Sequence, residues 1–89
     1  MTAAERIAEL LKADMADEAI EVAKASLADQ PDDEVFYLLG NAYRKKGDWQ
    51  NAISNYLEAM ELNPDSPAKN AYAIANDILD FFNKDMYNQ

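Results

Sequence analysis

The chain contains no histidine and no cysteine among its 89 residues. Without cysteine there is no disulfide framework and no thiolate metal site. Without histidine the commonest general base is missing, so Ser26, Ser54 and Ser66 have no imidazole to activate them. Basic residues are scarce too: eight Lys and Arg stand against seventeen Asp and Glu, a formal net charge of −9. That balance argues against nucleic acid as a partner, because phosphate binding needs a basic surface. It argues equally against an anionic membrane surface, and no apolar run approaches membrane-spanning length. The opening residues Met1-Thr2-Ala3-Ala4-Glu5-Arg6 lack the basic and apolar regions of a signal peptide, so a cytoplasmic protein is expected. The acidity mildly favours a basic protein or peptide as partner.

Carboxylates are plentiful but poorly placed for chemistry. Asp17-Glu18 and Asp32-Asp33-Glu34 fall at turns and helix starts, where acids offset the helix dipole. There is no calcium-loop spacing and no glycine-rich phosphate loop. Catalysis, a metal and a cofactor are therefore not expected.

Glycine and proline are nearly absent, with two and three copies respectively, so each one marks a position. Between Glu34 and Pro64 two apolar runs of helical period are broken once, at Lys45-Lys46-Gly47-Asp48. Phe36, Leu39, Gly40 and Tyr43 share one helix face; Ala52, Ile53, Tyr56, Ala59 and Met60 share another. Gly47 suits a left-handed residue ending the first helix, and Asp48 can cap the next. Pro64 closes the unit. Gly40, Ala52 and Ala59 remove side chains where the helices must cross, and Phe36, Leu39, Tyr43 and Tyr56 fill the surrounding volume.

The flanks read in the same terms. Thr2 and Glu5 form a capping-box pair before a helix to about Ala13, with Ala4, Ile7, Ala8 and Leu11 inside and Leu10 beside them. After a turn at Asp14, a second helix from about Ala16 to Asp29 carries Ala19, Ile20, Ala23 and Leu27. Asp32 or Asp33 caps the third helix. Ser66 caps a fifth, with Pro67 at its first position and Ala71, Ile74, Ala75 and Ile78 as its inner stripe. This helix is expected to run to about Lys84, followed by a frayed tail.

An internal repeat is visible. Ala19-Ile20 and Pro31 match Ala52-Ile53 and Pro64 at an offset of 33, whereas Ala4, Ile7, Ala8 and Leu11 match Phe36, Leu39, Gly40 and Tyr43 at 32. The difference implies a one-residue deletion in the first turn, with Asp14 replacing Gly47-Asp48. The fifth helix matches the third at an offset of 35.

At Phe36, Leu39, Gly40, Tyr43, Ala52, Tyr56, Ala59 and Pro64 the chain resembles a tetratricopeptide repeat (TPR), with Phe36 in place of the usual Trp. The resemblance implies an all-α fold of antiparallel helix-turn-helix repeats in a right-handed superhelix. The single domain 1–89 then holds a degenerate repeat at about 2–31, a second at about 33–65, and a capping helix at about 67–84. Two and a half repeats is near the lower limit for a continuous core, so marginal stability or self-association is expected.

The resemblance also implies a function: an adaptor holding a peptide or protein segment in a concave groove lined by the first helix of each repeat. Groove residues implied by the offsets are Glu5, Glu9, Tyr37, Asn41, Arg44, Lys45, Lys69, Tyr72 and Asn76. The Tyr-Asn pair recurs four residues apart in two segments. Asn can donate and accept to a peptide backbone at once, and Tyr is a frequent interface anchor. Only Asn41 matches members that grip a C-terminal carboxylate; Tyr37 and Glu5 stand where Lys is wanted. The alternative function is structural self-assembly. Leu79, Phe81 and Phe82, with Met86 and Tyr87, widen the apolar arc of the fifth helix and suggest a weak homodimer.

Overall fold

Among residues 1–87, whose backbone the computed structural model describes, five α-helices and no strand carry the fold. They are α1 (Ala3–Lys12), α2 (Ala16–Asp29), α3 (Asp33–Lys45), α4 (Trp49–Leu62) and α5 (Ala68–Tyr87). Side chains are described for residues 1–81, so the expectations for Phe82, Met86 and Tyr87 at a dimer surface lie outside the described side chains. The fifth helix continues to Tyr87 rather than ending near Lys84.

Local chemistry sets each boundary. Thr2 Oγ1 accepts the Glu5 N–H at 3.1 Å while the Thr2 N–H donates to Glu5 Oε1 at 3.2 Å, completing the capping box. Asp32 Oδ1 accepts from the N–H groups of Glu34 and Val35, and Asp48 Oδ1 from that of Asn51. The Asn51 side-chain amide also donates to Asp48, and these bonds hold the Asp48 carboxyl below its usual range. Ser66, buried, accepts the Ala68 N–H at 3.1 Å. Asp32 directly precedes α3, whereas Ser66 stands two residues before α5 with Pro67 between.

The turns correct the first repeat's register as well. Three backbone bonds close the α1–α2 turn: Ala13 N–H to Glu9, Asp14 N–H to Leu11, and Met15 N–H to Leu10. The α3–α4 turn has the counterparts of these three, Lys46 to Ala42, Gly47 to Arg44, and Asp48 to Tyr43, with Lys46 N–H also shared with Tyr43. Donors and acceptors of the three matching bonds differ by 33. Asp14 has φ 61° and Gly47 φ 78°, so Asp14 occupies the glycine's left-handed position and Met15 the cap's. No residue is deleted there; the turn survives because Asp tolerates this conformation better than most residues.

The single offset of 33 explains the sequence of the first pair. Thr2, Arg6 and Glu9, all exposed, stand where Val35, Leu39 and Ala42 are buried against α1 and α2. The second pair has a neighbour on that side, and among the described residues the first pair has none. Likewise Ile7 stands where Gly40 does, and Ala23 where Tyr56 does. At the α3–α4 crossing the glycine is small and the tyrosine large. At the α1–α2 crossing the order is reversed, and Ile7, Ala23 and Tyr56 are all fully buried. A Cβ built on Gly40 would lie 2.5 Å from Tyr56 Cε1 and 3.1 Å from the Ala52 carbonyl oxygen. Tight crossing is thus achieved by two opposite pairings.

Helix α3 packs chiefly on α4 and on α2, α4 packs on α5, and α1 rests on α2 and also on α3. Polar contacts join the two pairs: Lys46 Nζ pairs with Asp17, and Lys24 lies 5.9 Å from the Tyr43 ring centroid. On α5 the buried face is Ala68, Ala71 and Ala75. Ile74, expected inside, is 54% exposed, and Ile78 is half-buried. The face that α5 packs against α4 is this alanine one, and Ile74 lies off it.

Candidate functional site

Because α1 packs on α3, the first helices of the pairs lie side by side and form one face. Two pockets follow it. A pocket of ≈ 260 Å³ between α1 and α3 is lined by Ala8, Leu11, Lys12, Leu38, Asn41, Arg44 and Lys45. Another of ≈ 260 Å³ lies between α3 and the start of α5, lined by Asp33, Glu34, Tyr37, Leu38 and Pro67. Leu38 belongs to both, so they are halves of one track.

Asn41 is held from behind. Tyr56 O–H donates to Asn41 Oδ1 at 2.6 Å, which fixes the amide plane. Burial raises the Tyr56 phenol's pKa, so the group is protonated and donating across the ordinary pH range. No described residue takes up the Asn41 NH₂, and Asn41 lines the α1–α3 pocket. Tyr37 lines the other pocket and also packs on Tyr56, ring centroids 6.1 Å apart at 39°. It serves the core and the surface together. Asp33 accepts from the Asn63 side-chain amide at 3.1 Å, which ties the end of α4 to the start of α3.

Of the residues expected in the groove, Tyr37, Asn41, Arg44 and Lys45 line this track. Glu5 and Glu9 do not. At the corrected offset Glu9 corresponds to Ala42 and is exposed, while Glu5 is engaged in the capping box. Their places are taken by Ala8, Leu11 and Lys12, which correspond to Asn41, Arg44 and Lys45. Leu38 was also not expected. The pairing of Asp14 with Gly47 as turn residues was the signal that could have found them. Tyr72 and Asn76 are half-buried, and Tyr72 packs on the α4–α5 core; neither lines the two pockets described. On α5 the buried face is Ala68, Ala71 and Ala75, and Tyr72 and Asn76 flank it. Lys69 is exposed on the first turn of α5, close in sequence to the lining Pro67.

Comparison with known proteins agrees with this architecture. Residues 34–66 match the family model described as tetratricopeptide repeat. No curated protein gives a significant match. The solution NMR structure of the Bacteroides fragilis protein BF1650 superposes with a TM-score of 0.84 at 50% identity, covering 100% of this chain and 92% of that one. With the repeat's packing residues placed as the family requires and the whole chain superposing on a solved relative, this chain belongs to the tetratricopeptide repeat family.

Proposed function

We propose that the protein is an interaction module that holds a peptide or protein segment along the face made by α1, α3 and the start of α5. The observation that carries this reading is the continuity of the track through Leu38, with Asn41 fixed by Tyr56 beside it. An apolar floor with a pre-positioned amide suits an extended chain, which offers side chains to the floor and backbone groups to the amide. Catalysis is no part of this reading, and neither is nucleic acid or a cofactor.

Selection of a random peptide library on the purified chain, followed by NMR mapping of the selected peptides, tests it. Selected peptides should shift the amides of Leu38, Asn41 and Lys45, and Leu38→Asp should weaken them at least about tenfold. Peptides that shift only the outer faces of α2 and α4 would move the site off the groove.

A second reading rests on a separate observation. Ile74 is 54% exposed on α5, with Ile78 and Leu79 half-buried near it. On that reading α5 meets a second copy of itself as a weak symmetric dimer.

A further inference from the structure

The two halves of the track carry opposite charge. Lys12, Arg44 and Lys45 line the α1–α3 pocket, and no carboxylate does. Asp33 and Glu34 line the α3–α5 pocket, and no cation does. Part of this follows from the dipole of α3, whose first turn carries the acids and whose last turn carries Arg44 and Lys45. The dipole does not require it, however, since α2 and α4 end without a basic residue. In a chain of net charge −9, a pocket of three cations without a carboxylate stands out. None of the three is ion-paired to a described acid, whereas the neighbouring Lys46 is taken by Asp17.

We propose that the track takes an extended peptide whose charges are segregated. Carboxylates lie over Lys12, Arg44 and Lys45, an apolar side chain on Leu38, and a basic side chain at Glu34. This rests on the groove being the peptide site, and it names the partner's chemistry there. Helix geometry fixes the spacing: Glu34 and Lys45 are 11 positions apart, or ~16 Å along the axis. An extended chain rising ~3.3 Å per residue covers that in about five residues. The surplus of acid on the molecule as a whole points to a basic partner, but the lining of the α1–α3 pocket points the other way. Complementarity of this kind sets orientation and specificity more than raw affinity.

The test uses the full chain and two capped synthetic peptides of identical composition. One has a pair of Glu and a pair of Lys separated by about five residues, with Leu between them; its isomer alternates the charges. In NMR titrations at low salt the segregated peptide should shift the amides of Leu38, Asn41 and Lys45 and bind at least about tenfold more tightly than the isomer. Arg44→Glu with Lys45→Glu, both exposed positions, should abolish that preference while circular dichroism stays unchanged. Equal affinity of the two peptides at these amides overturns the charge assignment and leaves the groove intact as a peptide site. Failure of both to shift these amides also overturns it, and the groove reading falls only if library-selected peptides bind elsewhere too.

Discussion

Gly40 and Tyr56 form a tightly constrained contact. The tyrosine ring is fully buried and its hydroxyl is anchored on Asn41, so it cannot swing away from a new Cβ 2.5 Å distant. Gly40→Ala should therefore cost about 1–3 kcal/mol by overpacking. Tyr56→Ala should cost about 3–5 kcal/mol, as for deletion of a buried aromatic. The first repeat shows how to repair both, because Ile7 and Ala23 make the same crossing with sizes exchanged. Gly40→Ile combined with Tyr56→Ala should be more stable than Tyr56→Ala alone, with a favourable coupling of about 0.5–3 kcal/mol in urea unfolding. A strictly additive double variant would show that the two crossings are not equivalent. Asn41 belongs to the same unit: truncating it orphans a buried hydroxyl, so it is unsuited to probing binding without a stability control.

Single elements differ in how much of them could be read beforehand. The second pair was legible almost to the residue, because its punctuation is strong: Asp32, Gly47 and Asp48 each do one thing. The first pair was legible as two helices but not in register, because its turn carries no glycine and no polar cap. Alignment on apolar residues then favoured 32, since Ala4 and Ile7 imitate Phe36 and Leu39. That alignment points to Glu5 and Glu9, whereas the α1–α3 pocket is lined by Ala8, Leu11 and Lys12. On α5 an Ala-rich sequence offers several possible inner faces, and the one buried is Ala68, Ala71 and Ala75 rather than one that includes Ile74. The weak first turn also makes a prediction. Asp14 is a non-glycine residue at φ 61°, and Met15 makes no side-chain cap to α2. Asp14→Gly should stabilise by about 0.5–1 kcal/mol. Met15→Ser should add about 1 kcal/mol by capping; serine is preferable to aspartate because Asp17 and Glu18 already crowd the first turn. An unfolding midpoint that fails to rise with the pair would count against the turn's equivalence to Gly47-Asp48.

The whole array has unlike ends, and its association behaviour follows from that difference. The leading end is polar, with Thr2, Arg6 and Glu9 on the face that would meet a preceding repeat. Ala3 stands where the second repeat has Phe36 and helps line an open pocket of ≈ 610 Å³ beside Arg6 and Glu21. The trailing end is apolar at Ile74, and a helix that ends a stack is expected to be polar on its outer side. Head-to-tail stacking would set Ile74 against the polar leading face, a poor match. A symmetric contact of α5 with α5 sets apolar on apolar. Two chains of net charge −9 repel each other, so such a dimer should be weak in low salt and strengthen as salt screens the charge. On the dimer reading, the weight-average mass in sedimentation equilibrium rises with added sodium chloride at high protein concentration. Ile74→Glu abolishes the rise, and because the position is 54% exposed it changes monomer stability by no more than about 0.5 kcal/mol. A native chain that stays monomeric at several hundred micromolar, in about 0.5 M salt where the Debye length is short, removes the dimer and leaves the groove as the surface that binds.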